Sequence, residues 1–327
     1  MTEQILLSVQ DLKVHFPVAE GLFKKSADSV KAVDGVSFEL RRGETFSLVG
    51  ESGCGKSTTA LALLRMLEIT EGNIVFDGTD ITNLSSAALR PIRRRVQMIY
   101  QDPFASLNPR MKIGDIIGEP LVVHNLHSDK AKYQDRIVEL MRLVGLLPDM
   151  ADRYPHEFSG GQRQRVGIAR ALALNPDLII CDEAVSALDV SIQAQILNLL
   201  MDLQEELSLT YLFISHDLSV VRHISDRVGV MYLGRLVEVA PAQKLFAEPK
   251  HPYTQGLLAA VPVANPELEA KRPQQLIIGE VPSVRRPPSG CRFHPRCPII
   301  ESQCDSLSPN LAKADDDRYI ACHAVKL

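Results

Sequence analysis

No stretch of the 327-residue chain approaches the roughly 18–20 consecutive apolar residues that a membrane-spanning helix needs, so contact with a membrane would have to run through partners. Residues 1–10 carry neither a basic n-region nor a long apolar core, so a signal peptide is not expected and a cytosolic chain is. Positive charge is not in excess. The net charge is −4 and the pI about 6.2, which argues against a dedicated nucleic-acid binder. Sustained heptads and a basic tail are missing too. Cysteine is sparse over most of the length: Cys54 and Cys181 stand apart, whereas Cys291, Cys297, Cys304 and Cys322 crowd together near the C-terminus. In a reducing compartment such a crowd points to metal before disulfide. What remains, 45% hydrophobic residues, suits a soluble globular protein with one large domain and an appendage, or with two domains.

The chain is organised around Gly50-Glu51-Ser52-Gly53-Cys54-Gly55-Lys56-Ser57, which fits the phosphate-loop pattern G-x-x-x-x-G-K-[ST]. Thr45 to Val49 reads as a short buried strand before it, and Thr58 to Leu67 as an uninterrupted run of helix formers after it. The glycines let backbone N–H groups curl around a phosphate, and the helix N-terminus adds its positive end. Lys56 would reach the β/γ-phosphates, and the Ser57 hydroxyl would hold Mg²⁺. Cys54, beside a helix start and Lys56, is expected to favour thiolate.

Along the chain, Ile5 to Phe16 reads as an edge strand, 19–30 as a loop and Val33 to Leu40 as a strand. Gly72 to Phe76 is a strand closed by Asp77-Gly78, and Val96 to Tyr100 an apolar strand ending at Gln101. Ile113 to His124, Ala131 to Leu147 and Arg163 to Leu174 have helical spacing. Leu178 to Cys181, Tyr211 to Ile214 and Val228 to Tyr232 are apolar strands, with a long helix over Val190 to Leu207. Strands alternating with helices indicate a mostly parallel sheet that binds ligands at the carboxyl ends of its strands. From Pro262 the composition turns proline-rich, which predicts a loop-dominated tail without an apolar core of its own.

Two further elements carry chemistry. Asp182-Glu183 follows four apolar residues; a strand-end Asp can hold Mg²⁺ and the next carboxylate can polarise an attacking water. Phe158-Ser159-Gly160-Gly161-Gln162 opens a helix rich in arginine and makes a second anion-binding N-terminus. One nucleotide rarely needs two such loops in one chain, whereas two copies facing head to tail would use both for each nucleotide.

The order of phosphate loop, Gln101, FSGGQ, Asp182-Glu183, Ser186-Ala187-Leu188-Asp189 and His216 resembles the nucleotide-binding domain of ATP-binding cassette (ABC) transporters, over about Leu6 to Phe246. The resemblance implies an α/β fold with a mostly parallel sheet core around the P-loop, an antiparallel N-terminal β subdomain and a helical subdomain. It also implies an ATPase that uses ATP and Mg²⁺. Gly50 to Thr58 would bind the nucleotide, with Glu51, Ser52, Gly53, Cys54, Gly55, Lys56 and Ser57 in the loop, and Phe16 would stack on adenine. Ser57, Gln101 and Asp182 would hold Mg²⁺, Glu183 would be the base, and His216 would hold the γ-phosphate and the attacking water. Ser159, Gly160, Gly161 and Gln162 would contact a nucleotide bound by the opposing subunit, and Asp189 would belong to the dimer-facing loop. Phe158 replaces the family's usual Leu, and Ala184 stands where Pro is common.

His251-Pro252-Tyr253-Thr254-Gln255-Gly256-Leu257-Leu258, the proline stretch, Gly290-Cys291-Arg292-Phe293 and the run from Gln101 through Pro103 to Arg110 narrow the likeness to dipeptide and oligopeptide importers, most closely the second ATPase subunit of the dipeptide permease. That places the nucleotide-binding domain at 1–255, with its helical part at about 102–172, and a C-terminal extension at 256–327. The resemblance further implies a heterodimer with a related second ATPase, two membrane permease subunits and an extracytoplasmic peptide-binding protein. Nucleic acid is not among the expected partners, and the expected seat is peripheral, on the cytoplasmic face of the inner membrane. Relatives with this extension also import glutathione or nickel complexes, and soluble ABC ATPases of repair or translation are the rival class.

The cysteines follow C-x₅-C-x₆-C-x₁₇-C. Four thiolates suit either tetrahedral zinc or an iron–sulfur cluster, and the paired C-x₂-C knuckles usual for zinc are missing. The same importer ATPases carry a [4Fe–4S] cluster at this pattern, so the resemblance favours that cluster. A mixed zinc site using His294 or His323 stays open.

Overall fold

The computed structural model describes residues 4–20, 24–102, 104–261, 277 and 279–325. Pro103, the middle of the loop expected over 19–30, and the opening of the proline-rich tail at Pro262 lie outside the described residues. In chain order the elements are β1 (Ile5–Glu20), β2 (Lys24–Arg41), β3 (Thr45–Val49), α1 (Lys56–Leu63), β4 (Glu71–Phe76), β5 (Thr79–Asp80), α2 (Ser86–Arg95), β6 (Val96–Ile99), α3 (Ile113–Val123), α4 (Lys130–Leu143), α5 (Gly160–Leu172), β7 (Leu178–Asp182), α6 (Val190–Leu207), β8 (Thr210–Ile214), α7 (Leu218–Ile224), β9 (Arg227–Tyr232), β10 (Arg235–Pro241), α8 (Ala242–Ala247), α9 (Pro252–Ala259), β11 (Ala312–Asp315) and β12 (Arg318–Ile320). They fall into two compact units, one of Met1–Gln4, Leu40–Thr45 and Asn83–Ile214, the other of Ile5–Glu39, Phe46–Thr82 and Ser215–Leu327.

The first unit is built on three parallel strands, with Val96 opposite Leu178 and Leu178 opposite Thr210. Strand β7 is buried at every position, which is why Leu178 to Cys181 reads as a continuous apolar run rather than an alternating one. Asp177, one residue before β7, pairs with Arg95 at 2.5 Å and Arg42 at 3.3 Å and so ties the strand's start to its neighbours. Ser85, Asp129, Ser159 and Asp189 each accept a backbone N–H at a helix start, satisfying donors that the helix itself leaves unpaired. Helices α3, α4 and α5 fall within residues 102–172 and pack on one another.

The second unit holds an antiparallel sheet in the order β2–β1–β4–β5. Leu7 lies opposite Phe76, and the register shifts between Gln10 and Lys13. Beside it, β3 pairs in parallel with β9, and β9, β10, β12 and β11 follow antiparallel. The core gathers Val49, Val230, Tyr232, Val237, Leu245, Tyr253 and Phe293.

Three sequence expectations change. Both strands flanking the expected loop run longer than expected, because Val30 and Ala32 alternate with Ser29 and Lys31 and so fit a pleated strand. The tail is less loop-like than its prolines suggest. Glu238 of β10 stands opposite Ile320 of β12, so the sheet supplies the tail with backbone partners, while Phe293 is buried in a core already present. The boundary expected at 255/256 falls within α9.

Candidate nucleotide site and the tail that contacts it

The phosphate loop belongs to the second unit and follows β3. Gly50 has φ +151°, and a Cβ there would come within 2.1 Å of the Met231 carbonyl oxygen. Gly55, at φ +108°, would place a Cβ 2.2 Å from the Ala32 carbonyl oxygen, so only glycine closes this turn. Gly55 is also the N-cap of α1 and brings no side chain to that helix start, which leaves an anion as its natural cap. Lys56 is buried, with Nζ donating to the carbonyl oxygens of Gly50 at 2.7 Å and Glu51 at 3.1 Å. The amine is folded back over the loop that it would leave to meet a phosphate. Ser52, Gly53 and Ser57 are exposed and Thr58 half-buried. Cys54 corrects the expectation of a ready thiolate: it is buried, and burial pushes its thiol up against the pull of Lys56. Phe16, 40% exposed on β1, presents an aromatic ring to solvent. His216 is exposed, directly before Asp217, whose carboxylate caps α7.

The acidic residues belong to the first unit. Asp182 ends β7 and is buried; Glu183 follows at φ +49°, a left-handed conformation unfavourable for Glu. The turn is held by Glu183 N donating to the Ile214 carbonyl at 2.9 Å, and by Ser186 Oγ donating to the Glu183 carbonyl at 2.9 Å. Gln101, two residues beyond β6, donates through Nε2 to Glu183 Oε2 at 2.7 Å. The bond fixes the Glu183 carboxylate and leaves the Gln101 amide oxygen for a hard cation, and within this unit carboxylate and amide oxygen are donors of the kind that Mg²⁺ takes.

The second glycine-rich helix start caps itself. Ser159 Oγ accepts from Gln162 N at 3.3 Å, and Gln162 Oε1 accepts from Ser159 N at 2.9 Å. A Cβ on Gly161 would reach Ile192 of α6 at 2.5 Å, whereas one on Gly160 would make only ordinary contact with Leu188. Ser159 and Gly160 are exposed, and Asp189, which caps α6, is exposed as well.

Residues that the sequence reading passed over support the phosphate loop. Arg296 grips the Glu51 carboxylate with both terminal nitrogens, at 2.9 and 3.1 Å, and Tyr253 Oη accepts from Glu51 N at 3.0 Å. Tyr253 lies in the His-Pro-Tyr signature and Arg296 directly before Cys297. No spacing in the sequence ties either residue to Glu51, from which they stand 202 and 245 positions away.

The four tail cysteines neighbour one another. Burial, and after it the other three thiols, push Cys291 up to about 11. Yet no group of three or more His, Cys, Asp or Glu residues stands close enough to hold a metal ion among the described residues. The expected four-thiolate cage is therefore not assembled. The soft donor chemistry is right, but burial pushes the Cys291, Cys297 and Cys322 thiols up, away from the thiolate form that a metal takes.

The family described as "ABC transporter" matches residues 33–186, and the "Oligopeptide/dipeptide transporter, C-terminal region" matches residues 237–304. The oligopeptide transport ATP-binding protein AppF of Bacillus subtilis is 54% identical over 98% of both chains. The oligopeptide transport ATP-binding protein OppF of Salmonella typhimurium is 52% identical over 94% of this chain and 93% of its own. The di/tripeptide transport ATP-binding protein DppF of Pseudomonas aeruginosa is 49% identical over 98% of both. Among solved structures, cbiO1 of Clostridium perfringens, part of a cbiONQ ABC transporter complex, has a TM-score of 0.65 at 27% identity over 75% of this chain and 92% of its own. The dimeric cassette MJ0796 with ADP and Pi has a TM-score of 0.64 at 27% identity over 72% of this chain and 98% of its own.

Proposed function

Since the chain belongs to the ATP-binding proteins of oligopeptide and dipeptide ABC transporters, we propose the following division of labour within the ATPase subunit that powers peptide import. The observation that carries it is the 2.7 Å bond from Gln101 to Glu183, which holds a carboxylate at the ends of two neighbouring parallel strands. Glu183 takes the proton from the water that attacks the γ-phosphate, and His216 contacts that phosphate and the water. Lys56 and the backbone of Gly50 to Thr58 hold the phosphates, and Phe16 stacks on the adenine. Ser57, Gln101 and Asp182 would hold Mg²⁺, which supplies charge neutralisation at the β/γ-phosphates. Ser159 to Gln162, with Asp189, serve a nucleotide held by the opposing subunit.

The partners of this reading are a second, related ATPase, two permease subunits and an extracytoplasmic peptide-binding protein, with the chain seated on the cytoplasmic face of the membrane. Among the described residues no helix is long and apolar enough to cross a membrane, which supports a peripheral seat. Residues 1–255 form the nucleotide-binding part, 102–172 transmit its closure, and 256–327 are the importer-specific extension. The tail cysteines are read as ligands of a [4Fe–4S] cluster, with zinc as the alternative. Support comes from four mutually neighbouring thiols, and the metal would supply the folding energy that closes the cage. Iron, sulfide and zinc analysis of anaerobically purified protein decides between the two.

Glu183→Gln tests the catalytic assignment. A positioned general base contributes about 10²–10⁴-fold, so the assembled transporter should lose turnover by that factor while ATP binding persists. Wild-type turnover in the variant would refute the assignment.

A further inference from the structure

Glu51 of the phosphate loop is held at two places, by Arg296 of the extension and by Tyr253 just before it. Arg296 takes the carboxylate in a two-pronged grip at 2.9 and 3.1 Å, and Tyr253 takes the backbone N–H at 3.0 Å. The Arg296 side chain is 6% exposed and that of Glu51 26%, so the pair is shielded where water would otherwise screen it. Arg296 Nη1 also reaches Tyr232 Oη at 3.3 Å. Behind this contact the tail is anchored. The Phe293 ring packs on Tyr232, Tyr253 and His251, with centroids 5.3, 5.4 and 5.7 Å away, and Arg292 donates to the Leu233 carbonyl and to Asp34.

Glu51 is a carboxylate in a loop whose ligand is a polyanion, and an unpaired negative charge there opposes binding. Its backbone matters as well, because Lys56 Nζ rests on the carbonyls of Gly50 and Glu51. Displacing Glu51 would move the resting place of the amine that meets the phosphates. We propose that the C-terminal extension is a clamp on the phosphate loop, in which Arg296 is a positioning residue that neutralises Glu51 and, together with Tyr253, fixes the loop for nucleotide, so that ATP affinity is set in part by the tail. The proposal rests on the reading of residues 50–57 as the phosphate loop, and it reaches beyond that reading by making this importer-specific segment part of the nucleotide site's support.

The test is binding of Mg·ATP to the full-length chain, together with thermal melting without nucleotide. Losing the charge-assisted fork in Arg296→Ala should weaken ATP binding roughly tenfold. Arg296→Lys, which keeps the charge and loses the fork, should fall between that variant and wild type. Adding Glu51→Gln to Arg296→Ala should recover part of the affinity, because no carboxylate is then left unpaired. Tyr253→Phe removes one hydroxyl and should weaken binding about threefold, in line with one neutral hydrogen bond, and it serves if Arg296→Ala fails to fold. Arg296→Ala and Tyr253→Phe proteins that melt lower yet bind ATP as tightly as wild type would make the contact a mere staple and overturn the proposal. Lys56→Ala in the same assay separates the two readings: binding that survives it undoes the phosphate-loop assignment, whereas binding lost only in Lys56→Ala undoes the clamp alone.

Discussion

The chain has two glycine-rich helix starts that look alike on paper and differ in how they are finished. At the start of α1, Gly55 offers no side-chain cap, Gly50 and Gly55 are forced by carbonyls from neighbouring segments, and Glu51 is held by Arg296 and Tyr253. At the start of α5, Ser159 and Gln162 satisfy each other's backbone, and Ser159 and Gly160 face solvent. The first is a site whose missing cap is the ligand itself. The second is complete as a helix and has exposed surface to offer a partner. A phosphate loop must be shaped before its anion arrives, whereas a surface that completes another subunit's site needs only to be presented correctly.

The largest effect expected from breaking this contrast comes from Lys56→Ala, which removes the charged donor at the first helix start. ATP binding to the full-length chain should fall roughly a hundredfold, as two charge-assisted hydrogen bonds to phosphate would predict, when followed by fluorescent-nucleotide titration. Gly160→Asp sharpens the contrast from the other side. Its Cβ has room, but its carboxylate would stand where the proposed function puts the opposing subunit's γ-phosphate. Nucleotide binding by the isolated chain should be unchanged, while ATPase activity of the assembled transporter should drop at least tenfold by charge repulsion. Equal losses in both assays would mean that the two loops are not divided between nucleotides.

Acid should produce a smaller separation. His251 is fully buried beside Tyr253, and burial pushes its pKa down from 6.5 to about 3. Glu238 of β10 accepts the His251 backbone N–H, and the rings of Tyr253 and Phe293 pack near the imidazole. Between pH 6.5 and 3 the unfolded chain binds a proton at this site that the folded chain refuses. Stability therefore rises with pH across that window and is lost as pH falls through it. The support of the phosphate loop should loosen first, seen as faster hydrogen exchange in α9 and residues 50–56 than in α5 at pH about 5, well inside the window. His251→Asn, which keeps an acceptor for the Tyr253 N–H, should flatten the slope. An unchanged pH profile in that variant would assign the acid sensitivity elsewhere.

Much of this was legible in the sequence because local chemistry dictates it. Gly50 and Gly55 announce a loop that no other residue could close, and α6 begins and ends where its apolar spacing and Asp189 place it. The long β1–β2 ribbon was harder to read, since the lysines and serines among residues 24–31 resemble a loop. The clamp was not legible at all. Arg296 and Glu51 are 245 residues apart, and an ion pair between them leaves no periodicity or spacing on either side. Cys54 failed for a related reason: its sequence neighbours favour thiolate, but its burial is set by residues remote in the chain.

The pairing of β12 with β10 bears on solubility. An unpaired strand at a sheet's margin offers a row of backbone donors and acceptors to any passing chain. Here the tail covers β10 with β12, and the margin passes to β11, a four-residue strand carrying Lys313 and Asp315. Short length and alternating charge are what keep such margins from recruiting copies of themselves. A chain trimmed before residue 312 would keep every nucleotide motif and bare β10, whose central residues are buried and, apart from Glu238, apolar, so that it would be prone to aggregate before its activity could be asked about.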